Sequence, residues 1–78
     1  MSERTPTFSS KDLIRALLQL GFLITPGGKG SHTKLTHPTA RGALTIPKSK
    51  SLGIGIRTAL LKQIERMGTD RTDLLDQL

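Results

Sequence analysis

His32 and Lys34 stand two residues apart in Ser31-His32-Thr33-Lys34-Leu35-Thr36, and this pair could do chemistry. An imidazole can move a proton, and ammonium groups can stabilise the charge that develops on a phosphorus centre. Lys29 precedes them in Gly27-Gly28-Lys29-Gly30-Ser31, and Lys48 and Lys50 make a second cationic run after Pro47. So sparse a kit suits a phosphodiester that carries its own nucleophile, as RNA does in its 2′-hydroxyl. It would not suffice for DNA. Taken alone, His32 reads more readily as a surface or packing histidine on a strand than as a catalytic one. His37 precedes Pro38 and fits the geometry of a strand-end turn. Lys48, Lys50 and Ser51 read either as phosphate contacts beside the open amides of a helix start or as a solvated loop.

Other chemistries are excluded by what is missing. The chain has no cysteine, so neither disulfides nor thiolate metal sites are available. Between Asp12 and Glu65 there is no acid to hold magnesium, and two histidines without acidic partners are poor zinc ligands. No metal and no cofactor are expected. Gly27 to Ser31 has the flavour of a phosphate loop, but Gly30 follows Lys29 where Ser or Thr is needed, and Ile24 occupies the place of the leading glycine. Gly53-Ile54-Gly55 lacks the third glycine of a dinucleotide fingerprint.

Charge is distributed unevenly. The acid-free stretch holds Arg15, Lys29, Lys34, Arg41, Lys48, Lys50, Arg57 and Lys62, within a chain of net charge +6. Glu65, Asp70, Asp73 and Asp76 crowd the end beside Arg66 and Arg71. So one-sided a surface attracts polyanions and releases their counterions on binding. The chain's 78 residues suit a single small domain. At this size a domain buries only about 60% of the surface its unfolded chain exposes. With Phe8 and Phe22 its only aromatics, aliphatic side chains must supply most of the core. No apolar run is long enough to span a membrane, and Met1 to Pro6 lacks a signal peptide's apolar stretch. A soluble, cytoplasmic protein is expected.

The elements that position these residues follow from periodicity. Ser9 is a candidate N-cap with Asp12 at the reciprocal place of a capping box, and Leu13, Ile14, Leu17 and Leu18 recur at helical spacing until Gly21. Phe22–Thr25, Ser31–Thr36 and Ala43–Ile46 read as three strands, separated by turns at 26–30 and 38–42 and closed by Pro47. Alternation puts Phe22, Ile24, Leu35, Leu44 and Ile46 on one face. His32, Lys34, Thr36 and Thr45, with Leu23 and Ala43, fall on the other. A second helix runs from Ile54 to Met67, burying Ile56, Leu60, Leu61, Ile64 and Met67, and ends at Gly68. Thr69 or Asp70 caps a short last helix carrying Leu74, Leu75 and Leu78. The expected fold is α+β: a three-stranded antiparallel sheet with helices on one face and a polar face left open. Residues 1–8 read as a tail, and 9–78 as one domain.

Over residues 9–75 the chain resembles the HicA family of toxin–antitoxin mRNA interferases. The likeness lies in Ser10-Lys11-Asp12-Leu13-Ile14 through Leu20-Gly21-Phe22, then Lys29-Gly30-Ser31-His32-Thr33-Lys34 with its Gly-Ser-His signature. It continues in His37-Pro38, Arg41, Thr45-Ile46-Pro47, Gly55-Ile56-Arg57 and Leu60-Leu61-Lys62-Gln63-Ile64. The resemblance implies a double-stranded-RNA-binding-like α-β-β-β-α fold and an endoribonuclease that cleaves mRNA without metal. It makes His32 the catalytic residue and implies neutralisation by a HicB-type antitoxin. Lys29, Gly30, Ser31, Lys34, Lys48 and Lys50 are then the expected RNA contacts. The competing functions are a non-catalytic double-stranded RNA-binding module using the same face, and a protein-interaction domain that meets an acidic partner.

Overall fold

The computed structural model describes residues 7–26 and 32–78. Its elements are α1 (Ser10–Gln19), β1 (Leu23–Thr25), β2 (His32–Thr36), β3 (Leu44–Pro47), α2 (Ile54–Arg66) and α3 (Arg71–Gln77). The strands form one antiparallel sheet in the order β1-β2-β3. This is the expected α+β fold, α-β-β-β-α with a short helix appended.

Local chemistry sets the helix ends. The Ser9 hydroxyl accepts from the Asp12 amide at 3.0 Å, so α1 starts where the sequence predicts. Only this half of the expected capping box forms among the described residues. At the other end Gly21 has φ +94°, the Phe22 amide donates to the Leu17 carbonyl, and the Gly21 amide donates to that of Leu18. That pair of bonds is a Schellman motif, and it turns the chain directly into β1. The same pattern ends α2 at Gly68, with Thr69 donating to Ile64. The last helix is capped by Asp70.

The core joins one face of the sheet to the helices. Leu35, Leu44 and Ile46 are fully buried with Phe22, Leu13, Leu17, Leu61 and Ile64. Phe8 packs into the same cluster, as does Leu52 from the loop between β3 and α2. Several expected core positions differ. Ile24 pairs with Leu35 and so shares its face, yet it is 55% exposed. The helices pack over β3 and leave the β1 edge uncovered. On α1 the buried stripe is Leu13, Ala16 and Leu17, while Leu18, a further 100° around the helix, is exposed. On α2 it is Arg57, Leu60, Leu61 and Ile64, with Ile56 exposed and Met67 only partly buried. Pro47 also extends β3 instead of closing it, which an edge strand permits because no ladder donor is lost on its outer side.

Candidate functional site

The sheet's second face is the open one. Cross-strand pairing sets Thr25 and Thr45 on either side of Lys34, Pro47 beside His32, and Leu23 beside Thr36. Paired residues in an antiparallel sheet project to the same side, and alternate residues along a strand do likewise. His32 and Lys34 therefore project together, about 7 Å apart along the strand. Both are exposed, as are Leu23 and Thr45. The apolar face opposite is covered by helices except along β1, so the polar face is the broad one a ligand can reach.

Lys48 follows Pro47 directly, and Pro47 is the cross-strand partner of His32. Cα atoms of such partners lie about 4.5–5.5 Å apart, and the next Cα is about 3.8 Å further on. The basic loop thus begins within roughly 10 Å of the histidine backbone. Fold contacts hold it there. The Ser10 amide donates to the Ser49 carbonyl at 2.9 Å, and the Ser10 hydroxyl donates to that carbonyl at 3.1 Å. The same hydroxyl accepts from the Ser49 amide at 2.9 Å. Leu52 donates its amide to the Phe8 carbonyl and buries its side chain. Lys48 and Lys50 are left exposed on an anchored loop. The clasp between Ser10 and Ser49 has no local sequence signal, since its partners are 39 residues apart.

The structure removes two residues from the candidate chemistry. Arg57, one of the cations of the acid-free stretch, is buried in α2. Its Nη1 donates to the Leu52 carbonyl and to the Thr7 hydroxyl, each at 3.2 Å, so it braces the basic loop from behind. His37 is pinned at both ring nitrogens. Nδ1 accepts from the Thr39 amide at 3.2 Å and from the Thr39 hydroxyl at 2.9 Å. A backbone amide can only donate, so the ring proton sits on Nε2 and is directed at the Leu20 carbonyl, 3.2 Å away. The ring also stands edge-on to Phe22, with centroids 4.9 Å apart. This is more than turn geometry: His37 ties the end of β2 to the end of α1.

Of the other expected contacts, Lys29, Gly30 and Ser31 lie outside the described residues. The structure puts His32 and Lys34 on one side of the sheet, and starts the Lys48–Lys50 loop next to Pro47, the cross-strand partner of His32.

No curated protein and no solved structure matches the chain. The model of one family, described as the HicA toxin of bacterial toxin–antitoxin systems, matches it over residues 10–65. That span takes in α1, the whole sheet and nearly all of α2, together with both histidines. On that match, the chain belongs to the HicA family, the toxin side of bacterial toxin–antitoxin pairs.

Proposed function

We propose that this chain is an endoribonuclease that cleaves mRNA at its open sheet face without a metal ion. The observation that carries the reading is His32, exposed beside Lys34 on a polar sheet face and followed across the strand by the anchored Lys48–Lys50 loop. Family membership supports a toxin, and the toxic act would be loss of message. In the proposed step the RNA 2′-oxygen attacks its neighbouring phosphorus while the bond to the 5′-oxygen breaks. A 2′,3′-cyclic phosphate and a 5′-hydroxyl result. His32 exchanges a proton at one end of this displacement, as base to the 2′-hydroxyl or as acid to the leaving 5′-oxygen, and water takes or gives the proton at the other end. Lys34 and Lys29 stabilise charge on the phosphoryl oxygens, and Gly30, Ser31, Lys48 and Lys50 hold the strand.

A toxin of this kind acts where mRNA is, in the cytoplasm, and needs a partner that restrains it. A HicB-type antitoxin with an acidic surface would cover Lys34 and the basic loop, by blocking His32 or by occupying the RNA path.

The test is a paired assay of the intact protein and His32→Ala on RNA in EDTA. The intact protein should cut, and the variant should be slower by about 100-fold to 10,000-fold, the usual loss for a positioned acid–base group. Equal cleavage by both would remove His32 from the site. Loss of the intact protein's activity in EDTA would remove the metal-free mechanism. Salt-sensitive binding with no cleavage by either would identify a double-stranded RNA-binding module instead.

A further inference from the structure

Lys11 received no role from its sequence position beyond the outward face of α1. The fold changes that. Lys11, Lys48 and Lys50 line one open cleft of about 280 Å³, floored by Ser9, Ser10 and Ser49. All three lysines are exposed, and among the described residues no acid lines the cleft with them. Asp12, next to Lys11 in the chain, lines a different hollow with Thr7, Phe8, Arg15 and Leu75. The clasp between Ser10 and Ser49 is what brings the cations together, because it joins the residue before Lys11 to the residue between Lys48 and Lys50. The amides at the start of α1 are largely committed: that of Ser10 to Ser49 and that of Asp12 to Ser9. An anion here would be held by ammonium groups.

The lysines line the cleft with their carbon stems, so their three like charges stand exposed around its rim, with no acid among the described residues lining it. Such an arrangement persists where a polyanion supplies the missing charge. Rigid anchoring adds to the argument, since a loop needed only for solubility would not require a buried Leu52, a serine clasp and a bracing Arg57. Lys48, on the cleft, directly follows Pro47, the cross-strand partner of His32.

We infer that Lys11 is an RNA contact, and that it acts with Lys48 and Lys50 as one cleft for backbone phosphate flanking the linkage at His32. This rests on the open sheet face being the RNA site. It extends the RNA path off the sheet to the start of the first helix, and it commits Lys11 to nucleic acid.

The experiment measures RNA binding against salt concentration for the full chain carrying His32→Ala, so that the RNA stays intact. Adding Lys11→Ala should shallow the slope of log affinity against log salt by about 0.7 on single-stranded RNA, or about 0.9 on a duplex. Lys11→Arg should keep the parent slope, and so should Lys62→Ala, an exposed lysine on α2 outside the cleft. Thermal melts establish that each variant is folded. An unchanged slope for Lys11→Ala, with Lys48→Ala and Lys50→Ala both shallower, would overturn the inference and leave the RNA site standing. Polyglutamate whose binding weakens on Lys11→Ala while the RNA slope stays fixed would overturn it in favour of an acidic polypeptide. Failure of the parent to bind any RNA would strike down the underlying reading, and the inference with it.

Discussion

Two histidines five residues apart in the sequence meet opposite fates. His37 spends both ring nitrogens on the fold and lies against Phe22, whereas His32 is exposed on the open face. Gly21 belongs to the same arrangement: a Cβ there would come within 3.2 Å of the His37 Nε2, and its φ of +94° already disfavours a side chain. Stability should therefore separate the two histidines cleanly. His37→Ala leaves the part-buried Leu20 carbonyl without its partner and removes the ring that packs on Phe22, and it should cost about 1–3 kcal/mol. His32→Ala, at an exposed position, should stay within about 0.5 kcal/mol of the parent. Urea denaturation of both variants reads this directly. Coincident midpoints would mean that the His37 bonds contribute nothing net.

At the scale of elements, the sheet shows that sharing a face does not guarantee sharing the core. Ile24 and Leu35 are cross-strand partners pointing to the same side, one 55% exposed and the other fully buried. Leu35→Ala should cost about 2–5 kcal/mol, because it opens a cavity in the buried core. Ile24→Ala should cost less than about 1 kcal/mol, since little apolar surface returns to water. Chemical denaturation of the two variants checks the contrast, and equal losses would place a helix over β1 as well. The basic loop shows the reverse case. A segment that reads as solvated is held at Ser49 and Leu52, so its lysines are presented from a fixed backbone.

Over the whole molecule, the acids of the chain's end stand near the end of α2, at Glu65, and on α3, at Asp73 and Asp76, and α3 packs against both α1 and α2. Arg57 is subtracted from the accessible cations by burial. Both aromatic residues, Phe8 and Phe22, are also spent in the core, so no Phe, Tyr or Trp can stack an RNA base. Proteins that grip unstacked bases gain about 1–3 kcal/mol from each aromatic platform. Without one, recognition should rest on phosphate and ribose. Among single-stranded RNAs of one length and different base composition, affinities for the His32→Ala chain should agree within about threefold, with no stacking term to spread them. Filter-binding or anisotropy titrations across such a set test this. A spread of tenfold or more would mean that the face reads bases, and would overturn this expectation.

The sequence by itself determined the order of elements, the caps at Ser9, Gly21 and Gly68, and the parity that puts His32 and Lys34 on one side and Leu35 on the other. Each depends on backbone geometry within a few residues: a 3.6-residue turn, a two-residue pleat, a glycine at positive φ. Gly-Ser-His and the surrounding motifs were legible in the same local way. Only the tertiary structure decided which apolar residues on the correct face are covered. That depends on the helices packing over β3, and Ile24 carries no mark of being left out. The same holds for Arg57, whose charge reads as surface until Leu52 and Thr7 offer oxygens to its buried guanidinium. It holds as well for Lys11, which reaches Lys48 and Lys50 through a clasp between residues 39 apart. Periodicity reports the direction a side chain takes from its own backbone. What it meets there is set by distant segments, whose approach no short pattern encodes.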